Sequence, residues 1–324
     1  MRAAVIDACG PWSAIEVRRI PVPSPGAGEV LIEVAATTVN RVDAFVRSGI
    51  FHTALSFPFV VGRDAAGTVV DDGDGTGGIG VGEAVWCNSL GHAGRQGATA
   101  EYAAVPTDRL YRLPPGVDPI DAVAVLHPAA TAALALGPHA RLGPEDTCFI
   151  AGAAGHVGSA ALAIATRAGS RTLVSAGVGE LSELLRGGAD VALDYRATDL
   201  ANQIAAAAPE GVDVWLDASG AQPLSLAVGH LALRGRIVVI AGMDRRHDLR
   251  ARDLYTRDGS ILGFAISNAT VAELAGAARL INSMLVEQSL PTPRIERLPL
   301  EHTADAHRRM EAGAARGVRL IITP

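Results

Sequence analysis

Apolar and polar residues alternate in short runs over the first ~120 positions, the period of half-buried strands. Glu29-Val30-Leu31-Ile32-Glu33-Val34 is one such run, set between turns rich in Gly, Pro and Asp. Asp71-Asp72-Gly73-Asp74-Gly75-Thr76-Gly77-Gly78 interrupts the alternation and reads as a surface loop. From about Asp121 alanine-rich helical segments take over, separated by short apolar runs. Cys148-Phe149-Ile150-Ala151, Arg171-Thr172-Leu173-Val174, Asp213-Val214-Trp215-Leu216 and Ile237-Val238-Val239-Ile240 are four of these runs. Each follows the last by ~20–40 residues, the spacing of βα units in a parallel sheet. Beyond Gly263 the pattern predicts helices over Thr270 to Leu285 and Thr303 to Glu311, then a strand at Arg319-Leu320-Ile321-Ile322. The reading divides the chain into an all-β region (1–120), an α/β region (121–265) and a C-terminal segment (266–324).

The first α/β strand runs into Ala151-Gly152-Ala153-Ala154-Gly155-His156-Val157-Gly158, which opens a helix over Ser159 to Arg167. A dinucleotide fingerprint needs this strand–turn–helix setting. Gly155 lets backbone approach a pyrophosphate, Gly158 lets the helix pack on the sheet, and the first-turn amides bind phosphate oxygens. Ala153 stands where the usual pattern has its first glycine, and such glycines also mark ordinary tight turns. The next strand ends at Val174-Ser175-Ala176-Gly177, without the Asp or Glu that meets an NAD ribose. That absence favours NADP(H) over NAD(H), with Ser175 and Ala176 beside the 2′-phosphate. Glu180, on the following helix, either faces the ribose or is a solvated helix residue.

Composition narrows the function classes. The 324 residues are 49% hydrophobic and 19% charged, enough for a large core, and the length suits two domains. A net charge of −6 with no basic run argues against nucleic-acid and anionic-membrane partners. There is no lysine, which excludes Schiff-base chemistry on a lysine amine. Cys9, Cys87 and Cys148 are far apart with no CxxC pair, so a reducing, cytoplasmic setting is expected rather than a disulfide framework. The N-terminus is too short in apolar residues for a signal peptide. The apolar run Ala122 to Leu136, broken by His127 and Pro128, is expected to be too short to span a bilayer.

Several motifs lie in one order along the chain. They are Thr38-Val39-Asn40-Arg41-Val42-Asp43 with Arg47-Ser48-Gly49, then Phe59-Val60-Val61-Gly62-Arg63-Asp64-Ala65-Ala66-Gly67, then Gly82-Glu83-Ala84-Val85-Trp86. Gly97-Ala98-Thr99-Ala100-Glu101-Tyr102, the Thr131-Ala132 pair and the Gly152 to Gly158 loop follow. Over essentially the whole chain they resemble the zinc-independent quinone oxidoreductase (zeta-crystallin-like) branch of the medium-chain dehydrogenase/reductase superfamily. The resemblance implies an α/β fold with a GroES-like β-barrel catalytic domain and a Rossmann, doubly wound parallel-sheet cofactor domain. The segment 266–324 is then expected to return to the catalytic domain.

The alcohol dehydrogenase branch has a cysteine three residues before the aspartate, where this chain has Asn40, and a histidine after the turn glycine, where it has Arg63. Zinc needs three protein ligands of N, S or O type, so no metal is expected. His127 falls near the third ligand position and reads as a packed or hydrogen-bonded histidine. The resemblance places Asn40 as a donor to the acceptor oxygen and Thr131 as the group that orients the nicotinamide carboxamide. A capped turn and a helix hydroxyl bonded to the preceding turn are the structural alternatives for these two. Tyr195 matches a tyrosine beside the adenosine, and Gly242, Gly263 and Phe264 line the cofactor. Arg196 or Arg316 supplies the cation for a 2′-phosphate, because relatives that prefer NADP(H) usually carry a lysine where Glu180 stands.

Phe51 replaces a tyrosine that related enoyl reductases use as proton donor, which favours a quinone or other small α,β-unsaturated carbonyl. An enoyl thioester reductase and a non-catalytic NADPH-binding protein remain the alternatives. The resemblance also implies a homodimer through the edge of the second sheet, near Ile237 to Phe264.

Overall fold

The strand Glu29–Thr38 carries the alternation furthest and organises the first unit. In this computed structural model, which describes residues 1–75 and 78–324, it pairs with Ala65–Asp71, Tyr102–Pro106 and Val318–Thr323. Thr76 and Gly77, part of the expected surface loop, lie outside the described residues. The sheet runs Arg294–Pro299, Val318–Thr323, Glu29–Thr38, Ala65–Asp71, Ala84–Cys87, Tyr111–Arg112, and a three-stranded sheet holds Arg2–Ile6 between Glu16–Arg19 and Phe59–Val60. Inward residues of the larger sheet (Val30, Ile32, Val34, Val69, Val85, Val105) form one apolar cluster. Ile6, Val39, Val46, Phe59, Leu320 and Ile322 form another. A Cβ on Gly67 would stand 2.0 Å from the Glu33 carbonyl oxygen, so only glycine lets these two strands approach.

The region read as all-β contains a helix, Arg41–Ser48. Its start is fixed by Asp43, whose carboxylate accepts the Asn40 amide at 2.7 Å. Gly49, at φ 80°, ends it in the left-handed conformation. Eight residues give barely two turns, too few for the helical period to stand out from neighbouring alternation.

Contacts divide the chain into Met1–His127 with Leu274–Pro324, and Pro128–Glu273. The first division falls inside the helix Pro119–Leu134 rather than at residue 120, and the second inside the helix Val271–Val286 rather than at 265. The segment after residue 273 supplies two strands to the first unit's sheet, and Trp86 Nε1 donates to Asn282 Oδ1 at 2.9 Å.

The second unit is a six-stranded parallel sheet. Its order is Val191–Asp194, Arg171–Ala176, Thr147–Ala151, Val212–Asp217, Leu231–Val239, Ser260–Gly263. The order reverses at Thr147–Ala151, so ligand-binding loops gather at the carboxyl ends of that strand and its neighbour. Val191–Asp194 and Ser260–Gly263 escaped the sequence pattern because each is a four-residue strand at a sheet margin. Phe149 and Trp215 stack across the centre with ring centroids 4.0 Å apart.

One expectation is corrected. Pro119–His139 forms a continuous helical stretch, its last turn a π-turn over Ala135–His139, and by length and composition it can cross a bilayer. Pro128 does not break it. Most of the stretch is buried inside the protein, the setting of a core helix.

Candidate functional site

Asn40 is where the strand Glu29–Thr38 hands over to the helix Arg41–Ser48, and the surrounding polar cluster is buried. Its Nδ2 donates to Asp64 Oδ2 at 2.8 Å and to Thr38 Oγ1 at 3.2 Å, and its Oδ1 accepts from Arg319 Nη2 at 3.1 Å. Both amide hydrogens are therefore engaged within the unit, and the expected donation to a substrate oxygen meets a filled amide. Asp64 also accepts from Thr38 Oγ1 at 2.9 Å and lies 3.3 Å from His127 Nδ1.

Burial alone would push Asp64 up; His127, Asn40 and Arg319 outweigh it and hold the carboxyl below its ordinary value. Asp43 shows the opposite balance. Burial, helped by the nearby Asp64 charge, pushes it up to about 6, against the Asn40 amide, Arg63 and His127. Arg63 and Arg319 are lowered by burial and supported by the same two carboxylates. Nothing in the residue pattern marked Arg319 for this site. It is 279 residues from Asn40 and lies in what reads as an ordinary strand.

Among the described residues no three His, Cys, Asp or Glu side chains converge in a group fit to hold a metal ion. Asp64 and His127 are a pair, the Asn40 amide is committed, and a guanidinium such as Arg63 does not ligate. The donor set does not fit a zinc site.

The second unit brings its predicted residues to one edge. Gly152, at φ 78°, donates its amide to the Ser175 carbonyl at 3.1 Å, as Ala153 does. Ala154 and Gly155 complete the turn, and the helix His156–Ala168 begins with Val157 and Gly158 in its first turn. A Cβ on Gly158 would stand 2.2 Å from the Gly152 carbonyl oxygen and 2.7 Å from Ala153 Cα, so helix and loop touch through bare backbone. The first helical turn carries amides with no intrahelical acceptor, the cradle a pyrophosphate requires.

The neighbouring loop is folded by Asp217. Its Oδ1 accepts from Ser219 N, Ser219 Oγ and Gly220 N at 3.0, 2.8 and 2.9 Å. Ser219 then packs on Gly152, and Gly220 on Gly242, which has φ 83°. Phe264 donates its amide to Val239 O at 3.3 Å, just past Gly263, and its ring lies 4.5 Å from His139. Thr131 is buried in this unit on the helix Pro119–Leu134, in a different unit from Asn40.

Ser175 is buried, its Oγ accepting from Gln222 Nε2 at 3.1 Å, and Ala176 is buried after it. The groups at the strand end are Glu180, Tyr195 and Arg196. Glu180 Oε2 lies 2.7 Å, and Arg196 Nη1 3.6 Å, from where a Cβ on Gly177 would stand. The Arg196 guanidinium covers the Tyr195 ring at 4.5 Å. A short turn, closed by Glu180 N to Gly177 O at 3.0 Å, folds Glu180 back to this place.

A parallel sheet with a glycine loop at its carboxyl edge, beside a mainly β unit, is the architecture of a class of oxidoreductases, and the comparisons with known proteins agree. The alcohol dehydrogenase GroES-like domain family matches residues 26–115, and the zinc-binding dehydrogenase family matches residues 157–283. Quinone oxidoreductase of Rattus norvegicus is 31% identical over 291 residues, 89% of this chain and 87% of its own. A mycocerosic acid synthase-like polyketide synthase of Mycobacterium tuberculosis is 32% identical over 94% of this chain, but only 14% of its own length. The solved structure of an NAD-dependent alcohol dehydrogenase superposes with TM-score 0.88 at 28% identity, over 100% of both chains. A mycobacterial protein complexed with NADPH gives 0.85 at 25% identity, also over 100% of both. The chain belongs to the quinone oxidoreductase (zeta-crystallin-like) branch of the medium-chain dehydrogenase/reductase superfamily.

Proposed function

We propose that this protein is a zinc-independent, NADPH-dependent oxidoreductase that reduces a quinone or other small α,β-unsaturated carbonyl in the cytoplasm. The observation that carries the reading is the Gly152 to Gly158 loop, where Gly158 has no room for a Cβ against Gly152 and no side chain caps the first helical turn. Bound nicotinamide supplies the hydride; the chain's part is positioning and charge. The loop amides hold the pyrophosphate. Arg196, braced on Tyr195 beside Gly177, takes the 2′-phosphate, and Thr131 orients the carboxamide. Asn40 acts as a positioning residue that ties Arg319 to Asp64.

Zinc independence is supported by the donor set described above. NADP(H) is supported by Arg196 and by the relative solved with NADPH, while Glu180 and the NAD-dependent relative weigh the other way. Enoyl thioester reduction stands second, on the match to a polyketide synthase. Phe51, which has no hydroxyl to give a proton, favours the quinone. A homodimer through the edge strand Ser260–Gly263 is supported by the exposed Leu233, Met243 and Tyr255 of the second unit.

The test is cofactor oxidation with a panel of quinones, enones and enoyl thioesters, run with NADPH and NADH, beside elemental zinc analysis and sedimentation. Quinone-dependent NADPH oxidation without zinc, by a dimer, is expected. NADH preferred over NADPH, stoichiometric zinc with activity lost on chelation, or a monomer at micromolar concentration each overturns its part. Binding of NADPH with no acceptor reduced leaves the non-catalytic alternative.

A further inference from the structure

One guanidinium in the first unit is buried without the partners that burial demands. Arg63 is 2% exposed, and its Nη2 has no hydrogen-bond partner. The two carboxylates that support its charge are occupied elsewhere. Asp64 is taken by Thr38, Asn40 and His127, and Asp43 by the Asn40 amide. A buried cation with an open donor is costly to keep, and an incoming acceptor removes that cost.

Arg63 does not stand alone. The segment after Ala84–Cys87 is tied to it by Leu90 N to Arg63 O at 3.1 Å, and carries His92 and Arg95. Arg95 Nε donates to the Ser89 carbonyl at 3.1 Å. Burial, with Arg63, Arg95 and Arg109 around it, pushes the His92 imidazole down to about 4. The acid nearest Arg109, Asp108, is 4.0 Å away and mostly exposed. Ser89 Oγ, Asn88 Oδ1 and Tyr111 Oη in the same region are buried with no hydrogen-bond partner. The Phe51 ring lies 5.7 Å from His92 and gives the cluster an apolar neighbour. Three arginines thus gather beside an imidazole; Asp43, Asp64 and Asp108 lie near them, but none accepts a hydrogen bond from Arg63, and the Ser89 and Tyr111 hydroxyls are open as well.

We propose that Arg63, Arg95 and Arg109, with His92, recognise a carboxylate carried by the electron acceptor, so that the preferred substrate is an anionic quinone or enone. The proposal rests on the oxidoreductase reading above and adds the substrate's charge. A guanidinium offers paired N–H groups in the plane a carboxylate needs, and such charged pairs outweigh neutral hydrogen bonds. The neutral His92 presents an N–H without adding a fourth charge. Phe51 suits the ring of the acceptor.

The experiment compares 1,4-naphthoquinone-2-carboxylate with its methyl ester on the full chain, by calorimetric binding and by NADPH-dependent turnover. The wild type is expected to bind the acid about tenfold more tightly than the ester, an advantage that shrinks as salt rises. Arg63→Met is expected to abolish the preference. Arg95→Ala, at a partly buried position on a loop, is expected to reduce it several-fold with circular dichroism unchanged. Equal binding of acid and ester by the wild type, or a preference that survives in both variants, overturns the proposal. Reduction of neutral quinones without acid preference sinks this inference and leaves the oxidoreductase reading intact. Acid-selective binding with no acceptor reduced sinks that reading and leaves the anion site.

Discussion

In the first unit Asp43, Arg47, Arg63, Asp64 and Arg319 are all buried; in the second, Asp217 is the one buried side chain of formal charge among the described residues. The first unit sets its geometry with charges facing one another across the core. Arg47 pairs with Glu311 from the helix Thr303–Glu311, and Arg319 joins Asn40 and Asp64 from two further elements. The second unit sets its geometry with bare backbone at Gly152, Gly158, Gly220 and Gly242. A side-chain network holds polar groups where chemistry needs them, and removing one member strands the others. A glycine contact instead brings main-chain amides close to a ligand and fails when a methyl group intrudes.

The largest expected effect tests the charged side of this contrast. Asp64→Ala takes the acceptor from Asn40 Nδ2 and Thr38 Oγ1 and the counter-charge from His127, and is expected to cost about 3–5 kcal/mol in chemical denaturation. Asp217→Asn keeps an oxygen for Ser219 and Gly220 and should cost about 1 kcal/mol. Equal losses would erase the distinction between the units.

Gly158→Ala tests the other side. The new methyl must displace backbone at Gly152, for about 1–3 kcal/mol of stability. NADPH affinity, followed by fluorescence titration, should fall about tenfold or more because the first-turn amides move with the helix.

Acid separates the units next. His307 is buried beside Arg47, and burial first, then that charge, lowers its imidazole to about 3. The unfolded chain takes up this proton near pH 6.5 and the folded one does not, so stability is intact above 6.5 and lost as pH falls toward 3. At pH 5 this linkage amounts to about 2 kcal/mol. Asp43 works against it, because the folded carboxyl holds its proton up to about 6. The difference between wild type and His307→Leu, measured from pH 7 to 5, isolates the imidazole; parallel curves would show that His307 is solvated.

The smallest effect falls on the cofactor. Glu180→Lys replaces the carboxylate beside Gly177 and should tighten NADPH by about tenfold (~1.4 kcal/mol), with NADH nearly unchanged. Unchanged affinity for both would remove Glu180 from the site.

The same contrast governs what the sequence disclosed. The second unit was legible because its site is built from consecutive residues. Strand, glycine turn and helix occupy one stretch around Gly152, and βα spacing places the other strands. What it concealed was local and short, such as Val191–Asp194. In the first unit the alternation gave the strands, but the helix Arg41–Ser48 was too short to register. The site was legible only through the family motifs, which pointed to Asn40 as a donor. Its actual partners, Thr38, Asp64 and Arg319, depend on register between elements far apart in the chain, and no local period encodes that. Glu180 lay in view, but whether it faced outward or back to Gly177 depended on one turn.

The placement of Arg319 also orders events during translation. Residues 128–273 leave the ribosome as one uninterrupted stretch and hold every strand of their own sheet, so that unit can close while synthesis continues. The earlier-made unit cannot. Asn40 and Asp64 are in the nascent chain for more than two hundred residues before Arg319 is polymerised, and the strand Val318–Thr323 joins Glu29–Thr38 later still. The unit that begins first finishes last, because its central strand and its buried polar cluster both wait for residues from the last stage of synthesis.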